Sequence, residues 1–210
     1  GHFAPVARRL AEKAAALCSR GLVVDAGAGV GYYLRAVLER LPEARGLALD
    51  LSKFALRRAA KAHPRAGAVA CDLWRPFPVR AGVASLVLDL FSPRNGPEYR
   101  RILRPDGALL VVTPTSRHLQ ELVASLGLIS VDDRKEERLE EGLSPHFALE
   151  EREELTFALS LSRAEAGALV RMGPSARHLG EGVLDERLAA LKEPVAVTAS
   201  VSLSTYRPLQ

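Results

Sequence analysis

A doubly wound, mostly parallel α/β sheet is the fold this sequence predicts, and three observations predict it. Short apolar runs alternate with helical patterns through five predicted strands in the first 126 residues. A glycine triplet, Gly27, Gly29 and Gly31, directly follows the first apolar run in LVVDAGAGVGYYL. An acid, Asp50, closes the second run, RGLALD, 19 positions after Gly31. Strand, glycine turn, helix, strand and terminal acid make a nucleotide-binding βαβ unit. The missing Cβ atoms let the backbone approach a ligand and adopt φ values that other residues avoid.

The elements follow in order. Val6, Leu10, Ala14 and Leu17 recur at helical spacing, which predicts a helix over 4–20. Residues 22–26 form a buried strand, and 31–40 a helix that stops near Pro42. A second strand covers 45–49. Ser52 is placed to cap a helix over 53–62, with Pro64 as its stop. Strands follow at 66–71 and 85–90, then a loop, FSPRNGP, and a short helix at 98–103. Asp106-Gly107 in RPDG signals a turn before a fifth strand at 108–112 and a helix at 117–126. Beyond residue 127 the pattern changes. Residues 132–154 are charge-rich and broken by Gly-Leu-Ser-Pro, which reads as a mobile cover or a solvated loop. Residues 155–161 and 195–203 read as strands with two short helices, 164–172 and 184–191, between them. Two late strands at the end of an open sheet commonly form an antiparallel edge pair, giving seven strands in all. The expected organisation is one domain over 1–210, with a cofactor-binding half to residue 126 and a substrate-side half from 127.

Composition narrows the class. With 48% apolar and 26% charged residues the 210-residue chain is an ordinary globular protein. No apolar run reaches the ~18 residues that cross a bilayer, and the N-terminus reads as an amphipathic helix and not a secretory leader. A membrane role is therefore not expected. Two cysteines, Cys18 and Cys71, make neither a disulfide framework nor a usual zinc site, so both are read as free thiols in a cytoplasmic protein. No metal site is expected. The net charge of +4 permits a nucleic-acid partner. The basic clusters at Arg8/Arg9/Lys13, Arg57/Arg58/Lys61/Arg65 and Arg94/Arg100/Arg101/Arg104 are either solvated helix faces or phosphate contacts.

In a parallel sheet of this kind the ligand binds outside the carboxyl ends of the strands. Asp25, Gly27, Gly29, Val30 and Gly31 stand at the first strand's end, where a helix N-terminus receives a carboxylate. Asp50 and Leu51 stand at the second, where a carboxylate can accept both ribose hydroxyls. Asp72 and Leu73 stand at the third, suited to an adenine amino group and ring. Asp89 to Asn95 close the fourth and face the reacting group. The spacing G-x-G-x-G, with Asp25 ahead of it, differs from the dinucleotide fingerprint G-x-G-x-x-G. It resembles the Rossmann-like class I methyltransferases, which implies S-adenosyl-L-methionine (SAM) as cofactor.

Longer segments carry a closer resemblance. GHFAP, VDAGAGVGYYL, GLALDLSKFALRRAAK, FSPRN and LRPDGALLVVTPTSRHLQEL are together similar to the RlmA-type 23S rRNA (guanine-N1)-methyltransferases over residues 1–122. The later LTFALSLSRAEAGALVRMGPSARH, around Met172 and Arg177-His178, resembles that family's C-terminal part. FSPRN and MGPSARH resemble the Gram-positive branch, which includes enzymes giving resistance to tylosin-type macrolides. The resemblance implies methyl transfer to N1 of a guanosine in a 23S ribosomal RNA hairpin. It also implies that Phe3, in the motif Gly1-His2-Phe3, lies near SAM, as do Gly29 and Val30, and that His118 in R-H-L-x-E-L contacts the cofactor. Family members carry a cysteine-rich zinc module ahead of that first motif. This chain opens at the motif, so a methyltransferase domain without the module is the expectation.

Guanine N1 carries a proton, so its loss or the O6-enolate form must be favoured. Asp89 is the candidate proton acceptor, with Arg94 or Asn95 the candidate O6 partner, and water the other acceptor. Two rival functions stand beside this one: a SAM-dependent enzyme acting on a small metabolite, and a non-catalytic SAM-binding module. No protein partner is identified, and a homodimer is left open.

Overall fold

The computed structural model describes residues 1–128, 141–172 and 181–209. Fourteen elements are named along these: α1 Ala4–Leu17, β1 Arg20–Ala26, α2 Tyr32–Arg40, β2 Glu43–Asp50, α3 Lys53–Ala62, β3 Ala66–Ala70, β4 Ala84–Leu90, α4 Gly96–Ile102, β5 Leu103–Pro114, α5 Gln120–Leu126, β6 Phe147–Leu161, α6 Arg163–Met172, α7 Glu181–Ala189 and β7 Val195–Pro208. The strands join one seven-stranded sheet in the order β3-β2-β1-β4-β5-β7-β6. β1 pairs in parallel with β2 and β4, β2 with β3, and β4 with β5. The expected α/β sheet is thus found, with β7 inserted between β5 and β6.

Local chemistry explains the helices. Pro5 opens α1, where its missing N–H costs no hydrogen bond, and Val6, Leu10 and Ala14 bury one stripe. Ser52 caps α3 as expected, its Oγ accepting the Ala55 N–H at 3.3 Å. Asn95 caps α4, accepting from the Glu98 N–H.

Two segments depart from expectation. The RPDG turn lies inside β5, not ahead of it. Between the pairs Ala84↔Leu103 and Leu86↔Ala108 the ladder shifts, so four residues of β5 oppose Ser85 alone. The turn chemistry is kept, but as a bulge in a strand that continues on both sides. The charge-rich segment is also not all loop, since β6 begins at Phe147, eight residues before the predicted start. Residues 147–154 carry Glu150, Glu151, Arg152, Glu153 and Glu154 on a largely exposed strand at the end of the sheet. Charged side chains on an edge strand block further strand addition, so here the charge marks an edge. The earlier part of that segment, 132–140, lies outside the described residues, as do Arg177 and His178.

Chain contacts divide the molecule into two compact units, which cut across the expected halves. The first is Gly1–Thr113, Glu136–Glu153 and Ser202–Gln210; the second is Pro114–Lys135 and Glu154–Val201. The first has a core built on Val24, Leu49, Val87, Ile102, Leu109 and Tyr206. In the second, Leu122, Leu126, Val170, Leu184 and Leu188 are buried. Cys18 and Cys71 are free thiols. Among the described residues, no helix is long and apolar enough to cross a membrane.

Candidate functional site

The glycine loop joins β1 to α2 at the carboxyl end of the sheet. Gly31 has φ +79°, and a Cβ there would lie 2.9 Å from the Ala59 Cα of α3. It is therefore a glycine for both backbone and packing reasons. Gly29, at φ +52°, would direct a Cβ into open space. The loop is thus packed on one side and open at its tip. Gly27 approaches Ser92 of the loop after β4 so closely that a Cβ would overlap its side chain.

Acids close each of the first strands. Asp50 spans two loops: Oδ2 accepts the Gly29 N–H and Oδ1 the Ser52 N–H, both at 2.8 Å. Each oxygen keeps a further lone pair for a hydroxyl. Asp25 is buried, and its Oδ2 has no hydrogen-bond partner. Burial, then the charges of Asp89 and Asp50, push its carboxyl up to about 7, against a stabilising Leu34 N–H. Asp72 accepts the Trp74 N–H at 3.0 Å and lies 3.6 Å from Arg75. Around these acids Val30 and Leu51 are exposed, while Leu73 is buried. Phe3 meets Phe91 edge to face, with ring centroids 6.4 Å apart.

The loop after β4 holds a network that sequence reasoning did not foresee. Asp89 is wholly enclosed. Its Oδ1 accepts from Ser92 Oγ at 2.8 Å and its Oδ2 from Tyr99 OH at 3.2 Å. Arg94 Nε stands 3.8 Å away. Burial lifts the Asp89 carboxyl to about 6, while Arg94, Ser92 and Tyr99 oppose the shift. Ser92 Oγ also reaches Ala26 O at 2.7 Å, and Tyr99 OH reaches Pro93 O at 3.1 Å. Asn95 uses both ends of its amide: Oδ1 caps α4, and Nδ2 donates to Leu73 O at 2.8 Å. Phe91 has φ +55°, an uncommon conformation for a non-glycine residue. The signal for Tyr99 was its place four residues after Asn95, on the first turn of a capped helix.

His118 is in the second unit, where its Nδ1 accepts the Ser200 N–H at 3.2 Å. Nearby, Glu121 accepts from both the N–H and the hydroxyl of Thr198, at 2.8 and 2.6 Å.

The basic clusters separate into two kinds. Arg101 holds Val79 O, Phe77 O and Glu98. Arg65 serves the carbonyls of Leu38, Leu41 and Ala44. Arg9 and Lys13 pair with Glu153 and Glu151. These are structural. On α3, by contrast, Lys53, Arg57, Arg58 and Lys61 are exposed, and among the described residues none of the four makes an ion pair. Phe54 is 79% exposed under Arg57, whose guanidinium lies 5.7 Å from the ring centroid. Among the described residues, no group of three or more His, Cys, Asp or Glu side chains is arranged to hold a metal ion.

No protein-family model matches the chain. A protein of Micromonospora griseorubida named as a 23S rRNA (guanine-N1)-methyltransferase is 50% identical over 224 residues, covering 100% of this chain and 76% of that protein. The 23S rRNA (guanine(748)-N1)-methyltransferase of Streptomyces fradiae is 49% identical over 212 residues, with the same coverage. Among solved structures, a geranyl diphosphate methyltransferase in complex with SAM has a TM-score of 0.59 at 14% identity, over 97% of this chain and 84% of that one. The last likeness is one of fold.

Proposed function

The chain belongs to the 23S rRNA (guanine-N1)-methyltransferase family, and on that footing we propose that it transfers the methyl group of SAM to N1 of a guanosine in a 23S ribosomal RNA hairpin. The observation that carries this reading is the 49–50% identity to two such enzymes across the whole chain. The cofactor is SAM, and when bound it supplies an electrophilic sulfonium methyl group.

The residues present fit that cofactor. The open side of Gly29 leaves room for a ligand against the backbone. Gly27, Gly31 and Val30 shape the same loop, and the N-terminus of α2 favours a carboxylate. The unpartnered Asp25 Oδ2 is an acceptor buried beneath the loop. Asp50 holds the loop and retains lone pairs for ribose hydroxyls. Asp72, with Leu51 and Leu73, is assigned to adenine, and Phe3 to a ring contact beside the reacting end. The assignment of His118 to the cofactor rests on its R-H-L-x-E-L motif.

Asp89 and Asn95 take part by positioning. Asp89 is enclosed, so it acts through Ser92, Tyr99 and Arg94. Asn95 ties the loop to Leu73 and to α4. Fixing this loop beside the glycine turn holds the base in line with the methyl group, and such positioning supplies much of the acceleration of a two-substrate reaction. A base in a hairpin loop is unstacked at lower cost than one in a duplex.

The test is transfer of labelled methyl from SAM to protein-free 23S rRNA. The expected result is one modified guanosine, and guanosine 748, for which the Streptomyces fradiae relative is named, is the first position to map. Labelling of small metabolites with none of RNA would overturn the reading.

A further inference from the structure

The loop of residues 91–95 is held at every position but one. Phe91 donates its N–H to Val112 O at 3.1 Å. Ser92 bridges Ala26 O and Asp89, Pro93 O accepts from Tyr99, and both ends of the Asn95 amide are engaged. Arg94 differs. Its side chain is 21% exposed, its Nε is buried without a hydrogen bond, and its nearest acid, Asp89, stands at 3.8 Å. A guanidinium carries five N–H donors in a planar fork. Asp89 is near enough to hold this one by charge, and too far to satisfy it. Asp89, the acid nearest this arginine, lies opposite Ala26 on the neighbouring strand, the residue that leads into the glycine loop.

Resting on the reading of function above, we infer that Arg94 donates its N–H fork to O6 and N7 of the target guanine. Three points of chemistry favour this acceptor. An arginine fork fits the O6/N7 pair of guanine in bidentate fashion. That edge is the one that leaves N1 uncovered for methylation. When N1 loses its proton, charge moves onto O6, where a cation stabilises it. The step balances without a protein base. N1 gives its proton to water, its electron pair forms the N1–CH3 bond, and the S–CH3 pair returns to sulfur. Asp89, itself anchored by Ser92 and Tyr99, is then the positioning residue that keeps the fork in place.

The test compares wild type, R94A and R94K on protein-free 23S rRNA transcribed with guanosine or with 7-deazaguanosine, which lacks the N7 acceptor. SAM affinity, kcat, KM and the pH–rate profile are measured for each. The groups that set the local charge are Arg94, Asp89, Asp25 and Tyr99, and only Arg94 is changed. R94A is expected to bind SAM within twofold of wild type and to lose about 10- to 100-fold in kcat. Its pH–rate profile moves to higher pH, because N1 must ionise unaided. R94K, which keeps the charge and loses the fork, recovers the profile in part. Wild type is slowed by 7-deazaguanosine and R94A is not slowed further. Three results would overturn the assignment while leaving the proposed function intact: an unaltered R94A, loss of SAM binding in R94A, or an R94A defect confined to KM and salt dependence, the mark of a phosphate contact. A wild type that methylates no guanine overturns both.

Discussion

Asp25 is a carboxylic acid in a place that disfavours its charge. Burial and the neighbouring charges of Asp89 and Asp50 hold its pKa at about 7, against 3.8 for the free side chain. Between those values the folded protein binds more protons than the unfolded chain, so this group's contribution to stability falls as pH rises from about 4 to about 7. Asn at this position keeps the shape and has no charge to bury. D25N is therefore expected to lose that part of the pH dependence and to gain on wild type at pH 8 relative to pH 5, by an amount on the order of a few kcal/mol. Urea unfolding of both proteins at the two pH values measures it. The strand-end acids were legible in the sequence because each closes an apolar run. Burial was not, because it depends on neighbours distant in sequence. Asp50 and Asp89 look alike as letters, yet one reaches across two loops and the other is sealed beneath Ser92 and Tyr99.

At the scale of elements, the helices were legible where the sequence carried its own cap. Ser52 predicts the start of α3, and the Ser52–Ala55 hydrogen bond is there. S52A is expected to lower stability by about 1 kcal/mol, read from the urea midpoint, with SAM affinity unchanged. Strand limits were harder. RPDG carries every local sign of a turn, and it turns, but β1 and β2 pair from Arg20 and Glu43, two residues ahead of their apolar runs. β5 resumes pairing beyond the bulge for the same reason: the ladder to β4 continues. β6 was missed over 147–154 because an edge strand at the sheet's end has no need of an apolar face. Its charges are met instead by Lys13, Arg9, Arg207 and Arg117. Those pairs are long-range, and no reading of adjacent residues finds them.

For the whole molecule, the formal charge of +4 said little until the structure sorted the arginines. Among the described residues, most are tied to carbonyls and carboxylates. We propose the exposed face of α3, with Lys53, Arg57, Arg58 and Lys61, as a contact for RNA phosphates. Replacing Arg57, Arg58 and Lys61 together by Ala should weaken binding to 23S rRNA and reduce the salt dependence of log Kd by about 2–3 in slope, with SAM affinity preserved. Filter binding over a salt series measures both. We propose that SAM held at Gly29 and Asp50 is spent on N1 of a guanine. Nucleoside mass spectrometry of 23S rRNA after reaction with wild type and with D50A tests this most directly. Wild type is expected to give one N1-methylguanosine per rRNA. D50A is expected to give the same product only at SAM concentrations about 10- to 100-fold higher, because a charged acceptor is lost. A methyl group on another base or another guanine atom, or a D50A protein with wild-type SAM dependence, would contradict it.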